Sequence, residues 1–187
     1  MSNTQPVANA MPTWSWIIKP TAKELEAEFD KFRLPEPKGG RMPCSRTGDR
    51  KVRNQCAVRM SVALSRAMGI DVLESYKGGN VHSSRCCKGE HGTRHITGAT
   101  DLLNHLRDAL HFKFEKCFIN DPATVNQQKG IIFFTKCFSK HDGTIGSHID
   151  YWDGEKYSNK ASGSGAANEK LKLFGTSIGD ILFCKLI

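Results

Sequence analysis

The hydrophobic period of this chain switches once, near residue 112, and that switch constrains its fold more than any other feature. Before it, apolar residues recur at helical spacing. "TAKELEAEFDKFRL" opens with the capping-box pair Thr21 and Glu24 and carries Leu25, Phe29 and Phe32 on one face. "NQCAVRMSVALSRAMG", residues 54–69, places Val58, Val62, Leu64, Ala67 and Met68 close to a 3.6-residue period, with Asn54 as N-cap and Gly69 as terminator. "TDLLNHLRDALHF" predicts a helix from about Asp101, with Leu102, Leu103, Leu106 and Leu110 inward. Beyond it, "GIIFFTKCF", "SHIDYW", "EKYSN" and "DILFCKLI" are short β-branched or aromatic runs separated by turn residues. Helices first and an antiparallel sheet second describe an α+β domain.

At 187 residues the chain is long enough for one domain with a substantial core. Residues 1–13 read as a disordered tail and 14–187 as a single domain. "NKASGSGAANEK" reads as a flexible loop between the last strands, residues 70–99 as an irregular segment, and no internal repeat is visible. No apolar run approaches a membrane span, so membrane insertion is not expected. "MSNTQPVANAMP" lacks the basic start and apolar stretch of a secretory signal, so export by that route is not expected. A net charge of +8 calls for an anionic partner, whether nucleic acid, an acidic polymer or an acidic protein. The basic residues are scattered and carry no nucleic-acid-binding signature, which argues against nucleic acid.

Chemistry enters at Cys56. The helix 54–69 puts this cysteine in its first turn, where unpaired backbone N–H groups and the positive end of the dipole favour a thiolate. A small buried hydrophobe would occupy the same place, and a base is needed to decide between the two. "GSHIDYWDGEKYSN", residues 146–159, supplies one. If Asp153 and Gly154 form a two-residue hairpin turn, His148 pairs with Asn159 across the hairpin, and Asp150 lies two positions along the same face. An imidazole can take the thiol proton, and a side-chain oxygen from Asn159 or Asp150 can hold its other nitrogen. A helix-borne cysteine followed by a strand-borne histidine and an adjacent amide is the papain-type arrangement.

The two motifs together, "NQCAVRMSVAL" and "GSHIDYWDG", resemble the fourth family of type VI secretion amidase effectors. These are bacterial toxins with an NlpC-type, papain-like fold, injected into the periplasm of rival cells. The resemblance places the family's nucleophile on Cys56 and its general base on His148. The third residue, usually an aspartate on the strand after the hairpin, falls on Asn159, which leaves Asp150 as a rival orienting group. The resemblance implies cysteine-dependent hydrolysis of the γ-D-glutamyl–meso-diaminopimelate bond in peptidoglycan stem peptides, with no metal or organic cofactor. It also implies synthesis in the cytoplasm without a signal peptide, delivery by the type VI secretion apparatus, and a cognate periplasmic immunity protein as inhibitor.

Other constellations compete less well. His82, Cys86, Cys87, His91 and His95 could be drawn as a zinc site, but the spacing matches no common ligand pattern. Setting Cys56 aside, six of the seven cysteines remain, enough for up to three disulfides, with Cys137 and Cys184 in predicted strands where they could be core. Trp14, Trp16, Phe133, Phe134 and Phe174 read as packing residues, and Arg59 and Lys172 as solvated charges. The alternative functions are a basic, disulfide-containing binding module without activity, a housekeeping wall amidase, and a transglutaminase-like acyltransferase on the same fold.

Overall fold

The computed structural model of the chain describes residues 18–31, 56–73, 76, 95–117, 125–139, 143–155 and 179–187. Three helices, α1 (Ala22–Asp30), α2 (Cys56–Met68) and α3 (Ala99–Asp108), precede four strands, β1 (Glu115–Cys117), β2 (Gly130–Ser139), β3 (Ile145–Trp152) and β4 (Ile181–Lys185). This is the α+β order that the change of period implies. The tail 1–13, Trp14, Trp16, Phe32, Asn54, Lys172, Phe174 and the loop 159–170 lie outside the described residues.

Each helix is bounded as its local chemistry requires. Thr21 Oγ1 accepts the Glu24 N–H at 3.2 Å, and Glu24 Oε2 accepts the Thr21 N–H at 2.8 Å, closing the capping box on α1. The chain leaves α2 at Gly69, whose φ of +65° is a left-handed conformation suited to glycine, and Ile70 N–H returns to the Ser65 carbonyl at 3.1 Å. Helix α3 starts two residues earlier than expected, at Ala99, and buries Leu102, Leu103 and Leu106.

The sheet is antiparallel throughout, in the order β1-β4-β2-β3. The C-terminal strand β4 lies between β1 and β2, and β3 is an edge of the described sheet. Alternation along the strands divides the apolar residues between two clusters. Ile131, Phe133, Ile149, Tyr151 and Cys184 join Leu25, Phe29, Met60, Leu64, Leu102 and Leu106 in the larger core under the helices. Ile132, Phe134, Cys137, Trp152, Ile181 and Phe183 form a second cluster. Strand β2 is buried from Gly130 to Phe134, which is why its sequence is a continuous apolar run without polar alternation. Gly130 is required by close packing: a Cβ there would fall 2.1 Å from the Cys184 carbonyl oxygen of β4. Gly130→Ala is expected to force β2 and β4 apart and lower the melting temperature by several degrees, corresponding to roughly 1–3 kcal/mol. An unchanged thermal midpoint would contradict this packing.

Three sequence expectations are corrected. Helix α2 was expected to bury one face, yet every residue from Ala57 to Ser65 is buried, because α1, α3 and β3 pack around it. Arg59, expected to be a solvated charge, is only 6% exposed. The cysteines Cys117, Cys137 and Cys184 are buried thiols, which excludes three disulfides among the six remaining cysteines. Cys44, Cys86 and Cys87 lie outside the described residues. No helix among the described residues is long and apolar enough to cross a membrane.

Candidate active site

Helix α2 begins at Cys56, so the thiol sits at the turn whose backbone N–H groups have no partner within the helix. That turn packs against β3, which carries His148 and Asp150 two positions apart on one face. The Cys56 thiol and the His148 ring are in hydrogen-bonding contact. His148 Nε2 lies 3.3 Å from Asp150 Oδ2, with the Asp150 side chain 3% exposed and the imidazole 20% exposed. A thiol, an imidazole and a carboxylate therefore stand in a line, with the thiol end only partly buried.

In the described sheet, the position of β3 explains how the anions are held. A strand at an edge has backbone N–H groups pointing away from its neighbour, and they need acceptors. The Ile149 N–H is donated to the Cys56 sulfur, and the Tyr151 N–H to Asp150 Oδ1 at 2.9 Å. On the other side, β2 pairs with β3 through Ile132↔Asp150 and Phe134↔His148. The imidazole accordingly lies against the Phe134 ring, centroids 6.3 Å apart. Immediately beyond, the register shifts between Phe134 and Phe138, and Lys136 within that bulge takes φ of +49°. Irregularities of this kind often sit beside functional side chains, where they re-aim the strand.

Electrostatics separates two neighbouring thiols. Burial works to raise the pKa of Cys56, but the hydrogen bond and charge of His148, together with the Ile149 N–H, outweigh it and bring the thiol below its ordinary range. Burial also works to lower the pKa of His148, and here the hydrogen bonds to Asp150 and Cys56 and their negative charges prevail, so it is raised. Both directions favour a thiolate–imidazolium pair. Cys137 of β2, in the second cluster, is pushed up to about 12, chiefly by burial, and is therefore held as a neutral thiol.

The sequence places His148 opposite Asn159; in the described sheet His148 is paired with Phe134 of β2. Asn159 and Gln55 lie outside the described residues. The carboxylate brought against the ring is Asp150, read from sequence as the lesser orienting group. Its proximity follows from simple alternation along one strand. Among the described residues no group of three or more His, Cys, Asp or Glu side chains is arranged to hold a metal. Of the histidine–cysteine cluster between residues 82 and 95, His95 alone is described, and it is fully buried.

Residues 52–183, which span both motifs and all of the sheet except the last two residues of β4, match the family model for Tae4, the type VI secretion system amidase effector protein 4. The chain belongs to this family. Its α+β, papain-like architecture is that of solved Tae4 structures. Tae4 from Enterobacter cloacae is 18% identical, with a TM-score of 0.60 over 91% of this chain and 98% of that one. The Tae4–Tai4 effector–immunity complex from Enterobacter cloacae matches at 18% identity and a TM-score of 0.57, over 91% of this chain and 100% of that one. Tae4 from Salmonella typhimurium, solved in complex with the immunity protein Tai4 from Enterobacter cloacae, matches at 16% identity and 0.58, over 90% and 99%. No curated protein sequence matches. At these identities the structural likeness speaks for the Tae4 fold, while the family match itself marks the chain as an amidase effector of type VI secretion.

Proposed function

We propose that this Tae4 family member is a cysteine amidase that cleaves the γ-D-glutamyl–meso-diaminopimelate bond of peptidoglycan stem peptides, using Cys56 as nucleophile and His148 as general base. The observation that carries the reading is the Cys56 thiol at the start of α2, in contact with an imidazole that is itself held by a carboxylate. Asp150 takes the orienting role, because it occupies Nε2 and leaves Nδ1 for the sulfur. Asn159, predicted for the same role from the hairpin, is the competing acceptor.

The steps follow from these placements. The Cys56 thiolate attacks the amide carbonyl, forming the S–C bond, while negative charge collects on the carbonyl oxygen. The Cys56 backbone N–H, free of an intrahelical partner, is one donor to that oxygen. As the C–N bond breaks, the His148 imidazolium gives its proton to the departing diaminopimelate amine. His148, now neutral, takes a proton from water, the resulting hydroxide attacks the thioester, and the glutamyl carboxylate leaves as Cys56 is regenerated. No step calls for a metal or organic cofactor.

The wall is anionic, and a +8 chain is drawn to it. The same charge favours an acidic immunity protein by electrostatic steering, which accelerates association. Tae4 relatives solved with Tai4 support an inhibitor of this kind for the present chain, acting in the periplasm where the wall lies. Two measurements test the reading. Purified peptidoglycan incubated with the wild type should yield fragments ending in D-glutamate and fragments beginning with diaminopimelate by mass spectrometry, and Cys56→Ala should yield neither. Expression with an added export signal should lyse the cell, whereas cytoplasmic expression should not. Equal toxicity in both compartments would remove the wall as the target.

A further inference from the structure

Helix α2 contains three buried polar side chains besides its cysteine: Arg59, Ser61 and Ser65. Two of them have evident structural work. Ser61 Oγ donates to the Val58 carbonyl at 3.1 Å and accepts the Ile96 N–H at 3.3 Å, and Ser65 Oγ accepts the Val72 N–H at 3.2 Å. Arg59 differs. It is 6% exposed, and its Nε–H has no hydrogen-bond partner among the described residues. A buried guanidinium keeps its charge, and leaving one unpaired is costly.

The helix puts Arg59 three residues after Cys56, on the same side of α2 as the cysteine that meets His148 of β3. Among the described residues, the charges acting on the guanidinium are those of Asp150 on β3 and Cys56 on α2 itself, and none comes from α1 or α3. Cys137 of β2 is held as a neutral thiol. Counting charges then gives two anions, the Cys56 thiolate and the Asp150 carboxylate, against one cation, the His148 imidazolium. A buried site of that composition would carry a net negative charge, and the thiolate would be the group to take up a proton.

We propose that Arg59 is a positioning residue of this site, whose buried guanidinium supplies the second positive charge and keeps the Cys56 thiolate populated beside His148 and Asp150. The inference deepens the cysteine-amidase reading and rests on it for its catalytic meaning, but it can be measured without a wall substrate. The rate of Cys56 alkylation by iodoacetamide, followed by peptide mass spectrometry across pH, reports the thiolate directly. In Arg59→Met and Arg59→Gln the midpoint should rise by about one pH unit or more, since removing a nearby cation raises the pKa of an acid. Arg59→Lys, which retains the charge, should return the midpoint most of the way to the wild-type value. In the wall assay the loss should fall on kcat at neutral pH and recover as pH rises.

A wild-type midpoint in a folded Arg59→Met or Arg59→Gln protein overturns the proposal. So does failure of both uncharged variants to fold, because Arg59 would then be a structural anchor. A shifted midpoint combined with an inert wild type in the wall assay would retain Arg59 in this role and remove only the substrate reading.

Discussion

Cys56→Ala and His148→Ala are each expected to abolish stem-peptide hydrolysis, with losses on the order of 10⁴ to 10⁶ in kcat. The magnitude follows from the two groups acting as one unit. Without the sulfur there is no acyl-enzyme; without the imidazole the thiol keeps its proton and the leaving amine receives none. The double variant should consequently be no slower than either single one, a non-additivity that separate contributions would not produce. Folding should survive Cys56→Ala, since alanine is the best helix former and the residue is only partly buried. His148→Ala is harsher, because it removes the ring packed on Phe134 and strips Asp150 Oδ2 of its partner. A stability loss of about 1–3 kcal/mol is expected there, and His148→Gln is the gentler control. A folded Cys56→Ala protein that retains even a hundredth of wild-type turnover would rule out the cysteine as nucleophile.

Asp150→Asn is expected to lower kcat by roughly 10² to 10⁴ while changing KM little. The amide oxygen can still accept the Tyr151 N–H, but its NH₂ group then faces His148 Nε2 and favours the wrong tautomer. The pH profile gives an independent reading. Asp150 helps to raise the pKa of His148, and the imidazolium that protonates the leaving amine exists only below that pKa. In the wild type, activity should rise with pH as Cys56 ionises and fall only when the imidazolium is lost. With the carboxylate gone, the imidazolium loses its proton at lower pH, so the alkaline limb should move toward neutrality. Asn159→Ala decides between the two orienting groups. If it proves the more damaging substitution and Asp150→Asn leaves the alkaline limb at its wild-type position, Asn159 holds the ring and Asp150 does not.

The sequence made the helices and strands visible because each is set by local rules. Thr21 with Glu24, Gly69, and the leucines of α3 all perform where they stand the tasks that their spacing suggests. The same holds for His148 and Asp150, whose shared face is a matter of alternation along a single strand. What escaped was non-local. Periodicity detects one apolar face of α2, but cannot show that three other elements enclose the rest, so Arg59 passed for a surface charge. The position of β4 between β1 and β2 depends on pairing across about fifty to seventy residues, which no short pattern encodes. The hairpin register that pairs His148 with Asn159 lies outside the described residues, and the β2 neighbour of His148, Phe134, is a separate non-local pairing that the turn does not encode.

The two outer strands of the described sheet are protected by different means, and one of them has a bearing on handling the protein. β1 is only three residues long and exposes Glu115 and Lys116, a short charged border that gives an incoming strand little to pair with. β3 is eight residues long, and its outward amides at Ile149 and Tyr151 are occupied by the Cys56 sulfur and the Asp150 carboxylate. Among the described residues, the Cys56 sulfur and the Asp150 carboxylate thus also serve as a stopper on the longer border, closing it to strand exchange between copies. Loosening the start of α2 would uncover reactive thiol and free backbone together. Substitutions there should therefore be scored for self-association as well as for turnover, since a weakly active preparation could be one in which copies have joined along β3.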